Sequence, residues 1–331
     1  MSATWIDILL LVAIVAQTQS SVGSIQAPTA FTKGQTIDVH VSNGENILYN
    51  KRITEIGASF DSEGSFVCQT PGLYAFTFYG LTAEDSRLWL EMMKTDELIA
   101  SIFGHTKNDY ADSGNAAIVH LNTGDKVYVK AHNNYNHALF GRADQIYTTI
   151  TGELLFADNI ELDVENFYGP VGLLSAILTK HASVSDGLAL IYDKSITNIR
   201  SACNTTTGTI TAPVEGTYLF HFHALAYENT DFWLELFHNE NYVISSYGYT
   251  EGSYADAGNT AVLHLKKGDI VKTNSRPGRT ARLYGASNEL YTTFCGALLS
   301  PTVKKISGHG TQEVIAFSAG PTQHETFLRF I

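Results

Sequence analysis

The sequence predicts an all-β protein built from two tandem antiparallel jelly-roll sandwiches, and three observations lead there. First, Tyr110 opens YADSGNAAIVHLNTGD and Tyr254 opens YADAGNTAVLHLKKGD, one pattern met twice at an offset of 254 − 110 = 144 residues. Second, apolar residues alternate: Tyr74, Phe76 and Phe78 with Ala75 and Thr77 in GLYAFTFYG, then Tyr218, Phe220 and Phe222 with Leu219 and His221 in GTYLFHFHA. That period of two belongs to strands with one buried face. Third, turn signals interrupt these runs at short intervals, among them Asn43-Gly44, Pro71-Gly72, Asn122-Thr123-Gly124-Asp125 and Lys267-Gly268-Asp269.

In chain order, MSATWIDILLLVAIVAQTQSSVG carries an apolar run from Ile8 to Ala16 followed by small and polar residues. Such a run is too short for the roughly 20 residues that span a bilayer, and it suits the core of a cleaved secretory signal over residues 1–23. The first copy occupies 24–156, with ADNIELDVENFY opening the linker region at 157–169, and the second copy occupies 170–300. The stretch 301–331 reads as a linker plus the stub of a third module, because Ala316-Phe317-Ser318 repeats the character of Ala30-Phe31-Thr32. Pro71-Gly72 turns the chain into the aromatic strand, and Gly152 and Gly296 let a final strand approach a neighbour closely.

The formal charge is −12, from 33 acidic and 21 basic side chains. Its average field repels phosphate backbones and anionic lipid, so nucleic acid is excluded as a partner, while a hard cation such as calcium suits it. Of the three cysteines, Cys68, Cys203 and Cys295, none recurs at the matching place in the other copy. A Cys203–Cys295 bridge within the second copy is one expectation in an oxidising compartment, and Cys68 is then a buried thiol or an interchain link. Asn204-Thr205-Thr206 is a glycosylation sequon, with Asn204 the acceptor.

No nucleophile elbow, His-Glu-x-x-His, phosphate-binding loop or Cys-x-x-Cys is present, so the expectation is a protein without enzymatic activity. His120 and His264 sit mid-strand and read as structural. The copies differ more in their loops. AHNNYNHALFG in the first stands against SRPGRTARLYG in the second, which makes Arg276, Arg279 and Arg282 a candidate anion-binding group. Tyr247, Tyr249 and Tyr254, with Tyr135 in the first copy, are candidates for stacking on sugar rings.

Each copy resembles the globular head of complement C1q, the family that shares a jelly roll with tumour necrosis factor. The residues that carry the resemblance are APTAF (27–31), GSFVCQTPGLYAFTF (64–78), SGNAAIVHLNTGDKVYV (113–129) and YTTITGELL (147–155). TGTITAPVEGTYLFHF (207–222), AGNTAVLHLKKGDIV (257–271) and YTTFCGALL (291–299) answer them in the second copy. No Gly-X-Y repeat accompanies them, so the resemblance is to members that lack a collagen stalk. It implies an apolar flank on every head and a homotrimer or larger assembly. It also extends calcium binding to the repeated Asp112, Asp125, Asp256 and Asp269, although aspartate favours turns in any case.

The functional expectation is a secreted recognition protein of innate immunity. Its multivalent heads are expected to bind microbial or altered-self surface groups, carbohydrate or lipopolysaccharide, by avidity. The alternative is an extracellular signalling or matrix ligand of the same fold that binds a protein receptor, and fold alone does not decide between the two.

Overall fold

The computed structural model describes residues 29–83, 86–105, 110–133, 137–144, 146–158, 173–199 and 203–301. The proposed signal, Tyr135, nearly all of the linker and the 302–331 tail fall outside these residues. Every regular element described is a strand, and no helix among the described residues is long and apolar enough to cross a membrane.

The strands form two sandwiches of the same plan. In the first module one sheet runs in the order Lys51–Ile56, Ala30–Gly34, Thr149–Ala157, Gly72–Leu81, Asp112–Leu121. The facing sheet runs Phe66–Val67, Lys126–Ala131, Arg87–Lys94, Glu97–His105, and Val39–Val41 pairs with His137–Leu139 beside it. In the second module the order Lys194–Ile199, Leu173–Ile177, Thr293–Pro301, Gly216–Leu225, Asp256–Leu265 reproduces the first sheet. All named pairings are antiparallel, and neighbours in space are far apart in sequence, as the jelly roll requires.

The alternation read from the sequence places the cores. Tyr74, Phe76 and Phe78 are buried with Phe31 and Phe66 in the first module, and Tyr218, Phe220 and Phe222 with Phe232 and Phe294 in the second. Gly124 and Gly268 adopt φ of 90° and 92°, the left-handed backbone that their hairpin turns need and that a Cβ penalises. A Cβ on Gly152 would lie 2.5 Å from the Phe31 ring, and one on Gly296 would lie 2.8 Å from the Phe220 ring. The closing strand can therefore pass over the aromatic core only where it has no side chain.

That closing strand differs between modules. In the first, Thr149–Ala157 buries only Ile150, Gly152 and Ala157 and leaves the rest half-exposed. In the second, every residue from Thr293 to Leu299 is buried. Phe294 and Leu298 face their own core, while Cys295 and Ala297 join Leu73 and Ile118 of the first module in a separate apolar cluster. A strand buried on both faces reads as a continuous apolar run, and FCGALL meets that demand where the first module's ITGELL does not.

The same alternation corrects the disulfide expectation. Cys203 lies in the core of the second module, whereas Cys295 points the opposite way, with its Sγ 3.5 Å from both Ser175 Oγ and the Ala116 carbonyl. Cys68, Cys203 and Cys295 are all free and buried. Burial also pushes the Cys203 and Cys295 thiols up to about 11, which keeps them protonated and unreactive at neutral pH. Denatured and alkylated without reductant, the chain is expected to take up reagent at all three cysteines, read by mass spectrometry. Protection of two would restore the bridge.

Candidate functional site

The two modules meet edge to face. The Asp112–Leu121 strand and its neighbour Glu97–His105 form an edge of the first module, and this edge lies against the outer face of the Thr293–Pro301 sheet of the second. Asn115, fully buried, is the joint. Its amide donates to the Ser101 carbonyl of its own module (3.0 Å) and to the Tyr291 carbonyl of the other (3.0 Å). Its Oδ1 accepts from the Thr293 hydroxyl at 2.6 Å and from the Ala116 amide at 2.8 Å. Around it, Ser101 exchanges two hydrogen bonds with the Leu290 backbone, and the Thr197 hydroxyl donates to the Ile118 carbonyl at 2.9 Å.

At one end of this contact is a polar knot. His223 is bonded through Nδ1 to the Tyr291 carbonyl (2.8 Å) and through Nε2 to Asp256 (2.9 Å), and the Ser113 hydroxyl donates to the same carboxylate. A carbonyl only accepts, so Nδ1 carries the hydrogen there, and Nε2 faces the Asp256 carboxyl. Burial holds the Asp256 carboxyl above its ordinary range. Asp112 is raised as well, first by burial and then by the nearby charge of Asp256.

Two of the four candidate calcium ligands thus come together, while the other two are elsewhere. Asp125 and Asp269 sit in hairpin turns, where they cap backbone amides and pair with Lys94 and His238 respectively. Among the described residues no three His, Cys, Asp or Glu side chains gather as a metal-binding group. Calcium takes six to eight oxygens, more than Asp112, Asp256 and Ser113 supply, and Asp256 is already engaged.

Beside the knot the junction opens into a cleft of about 230 Å³. Trp89 and Phe103 of the first module face Tyr254, Tyr284 and Tyr291 of the second, with Arg87, His137, Leu225 and Glu289 completing the walls. Phe103 meets Tyr254 edge to face at 5.7 Å, and the Tyr284 hydroxyl donates to Glu289 at 2.6 Å. Of the four tyrosines singled out for stacking, Tyr254 is therefore part of the cleft, Tyr247 and Tyr249 are exposed outside it, and Tyr135 lies outside the described residues.

The three arginines do not act as one group. Arg276 lies 3.8 Å over the Trp233 ring and 3.6 Å from Glu235, which is buried. The first module has the same arrangement, with His132 stacked on Trp89 at 3.7 Å and bonded to the buried Glu91 at 2.7 Å. In the second module a guanidinium thus covers the tryptophan and pairs with the glutamate beneath it, and in the first the His132 ring takes that place while Lys130 pairs with Glu91 at 3.3 Å. Arg279 and Arg282 are exposed and carry no ion pair among the described residues. Asn204 is exposed where a short strand enters a turn, a placement open to modification.

The residues that sequence reasoning missed are Asn115, His223, Thr293 and Trp89, all of them at the junction. Two predictions follow from their geometry. Asn115→Ala should lower stability by about 2–4 kcal/mol in denaturant unfolding, because it strands polar groups of both modules, whereas Asn259→Ala at the exposed counterpart should cost under about 1 kcal/mol. Arg276→Ser should lower stability by about 1–3 kcal/mol, because Glu235 loses its partner, while Arg279→Ser and Arg282→Ser leave the thermal midpoint unchanged.

Comparison with known proteins agrees with this architecture. The family model for the C1q domain matches residues 30–155 and again 174–299. Complement C1q tumor necrosis factor-related protein 3 is 34% identical over 134 residues in both Mus musculus and Homo sapiens; the match takes in 40% of this chain and 52% of each relative. The chain thus spans about half the length of the curated relatives it matches. Among solved structures, the globular domain of zebrafish complement 1qA is 22% identical, with a TM-score of 0.34 over 40% of this chain and 99% of that one. The Eiger TNF of S. frugiperda is 16% identical, with a TM-score of 0.33 over 42% of this chain and 99% of that one. With two matched domains covering most of its length, the chain belongs to the C1q domain family.

Proposed function

We propose that this is a secreted, non-catalytic ligand that engages a protein receptor, and that the cleft between its modules receives an anchoring side chain of that receptor. The observation that carries the reading is the cleft itself. At about 230 Å³ it is smaller than the ~300–1,000 Å³ of ordinary small-molecule sites, and its size suits one large side chain. Tryptophan, tyrosine and arginine line it, the types that dominate binding energy at protein contacts. The net charge of −12 favours a basic partner surface and steers it in. Secretion rests on the apolar N-terminal run, and the similarity to C1q/TNF-related proteins supports a signalling role.

The second reading, recognition of microbial or altered-self surface groups, rests on the exposed Tyr247 and Tyr249 and on Arg279 and Arg282. It is weakened at Arg276, whose guanidinium is already engaged. Calcium enters neither reading, because Asp112, Asp256 and Ser113 supply too few oxygens and Asp256 is already engaged, so binding should be unchanged by a chelator.

Binding of the labelled protein to intact cells should be saturable and abolished when the cells are treated with trypsin. Arg87→Glu and Glu289→Gln at the cleft should each weaken it at least tenfold, and Arg279→Ser/Arg282→Ser should not. Binding that survives trypsin, falls with glycosidase or lipopolysaccharide competition, and follows the arginines would establish the second reading instead.

A further inference from the structure

The walls of the cleft specify the chemistry of the side chain that enters it. Trp89 and Phe103 are cross-strand partners on Arg87–Lys94 and Glu97–His105, and the three tyrosines come from the ends of second-module strands. Together these aromatic groups close into a circle. Between ring centroids, Trp89 meets Phe103 at 5.9 Å, Phe103 meets Tyr254 at 5.7 Å, Tyr254 meets Tyr284 at 5.5 Å, Tyr284 meets Tyr291 at 5.6 Å, and Tyr291 returns to Trp89 at 6.4 Å. The first four contacts are edge to face, at interplanar angles of 68° to 88°. Aromatic rings gathered round one space make a cage, which attracts cations through the negative faces of the rings.

A carboxylate belongs to this cage. Glu289, half-buried, accepts from the Tyr284 hydroxyl through Oε2 and forms no salt bridge among the described residues. The Tyr254 hydroxyl is held above its ordinary range, first by burial and then by the charges of Glu228, Tyr227 and Glu289. Tyr291 is raised as well, by burial first and by Glu289 next. Phenols that resist ionising because carboxylates stand beside them report a negative potential in the cleft. Against it, burial pushes the His137 ring down, so that it is neutral at pH 7, and Arg87 is exposed at the rim, placed to meet receptor surface beside the anchor.

An apolar anchor in this space would strip water from Glu289 and leave its second oxygen unpaired. An ammonium ion would satisfy the carboxylate but holds its own water tightly. A guanidinium is weakly hydrated, stacks flat on aromatic rings, and carries along its edge the donors that a carboxylate accepts. The molecule already shows this pairing once, where Arg276 lies 3.8 Å over Trp233 with Glu235 at 3.6 Å. Trp89 holds the place of Trp233 in the first module.

We propose that the cleft is an aromatic cage for a guanidinium, and that the receptor's anchor is an arginine whose plane lies against the rings and whose N–H edge turns to Glu289. The receptor is taken from the function proposed above, whereas the cage is tested on the full chain alone. N-acetylarginine amide and N-acetylcitrulline amide, which keeps the shape but carries an uncharged urea, are titrated into the protein and followed by tryptophan emission. The arginine probe should bind about tenfold more tightly than the citrulline probe. Glu289→Gln should remove most of that difference by weakening the arginine probe about fivefold, with citrulline unchanged. Tyr254→Leu should weaken the arginine probe about threefold, and Tyr254→Phe, which keeps the ring, should not. The arginine probe should also displace labelled protein from cells, and the citrulline probe should not. Equal affinity for the two probes, or arginine binding indifferent to Glu289→Gln, would overturn the proposal. Selective arginine binding by a protein that no cell binds would keep the cage and remove the receptor. Trypsin-sensitive cell binding by a protein that takes up neither probe would keep the receptor and remove the cage.

Discussion

The arrangement depends on one strand that serves two cores. Thr293–Pro301 closes the second sandwich with Phe294 and Leu298, and with Cys295 and Ala297 it presents an apolar surface that needs a separate cover. That surface in water would be a standing liability of the kind that soluble proteins avoid. The first module covers it, and the polar groups that the cover would strand are satisfied through Asn115, Thr293, Thr197 and the His223–Asp256 pair. Apolar burial sets the attraction, and the hydrogen bonds set the register.

Joining the two modules in one chain changes what the contact must achieve. A tether makes the second encounter intramolecular, at an effective concentration of order millimolar for a short linker, so the contact need not be strong enough to hold free partners. It has room for a buried carboxyl held above its ordinary range and for an open cleft beside it. The cleft is walled by both modules, so its shape exists only when they are docked.

Much of the fold was legible. Period-two alternation located Phe76, Phe220 and their neighbours, the repeat located the modules, and the turn glycines located hairpins whose backbone does take positive φ. The site was harder to read, because it arises from what the two copies do not share. Cys295 and Ala297 stand against Thr151 and Glu153, a difference visible in YTTFCGALLS beside YTTITGELLF, and only a second buried face explains it. Arg276 looked like a free cation because comparison of the loops treated the first as lacking a counterpart. His132 occupies that place and performs the same stacking over a tryptophan, a relation between residues more than forty positions apart that no local pattern displays. The cysteines misled for a similar reason, since sequence supplies their number while the pleat decides which way each one points.

The unequal closing strands also bear on the order of events at the ribosome. Domains emerge N-terminal first, at about 5–20 residues per second, so a 144-residue lag gives the first sandwich several seconds alone. Its own closing strand, with Thr151 and Glu153 facing outward, tolerates solvent during that interval. The module that cannot stand bare is the one made last, when the edge that will cover it has already folded. Reversing the two modules along the chain would leave all final contacts available and yet expose FCGALL while synthesis continued, turning a safe sequence of events into an opening for aggregation.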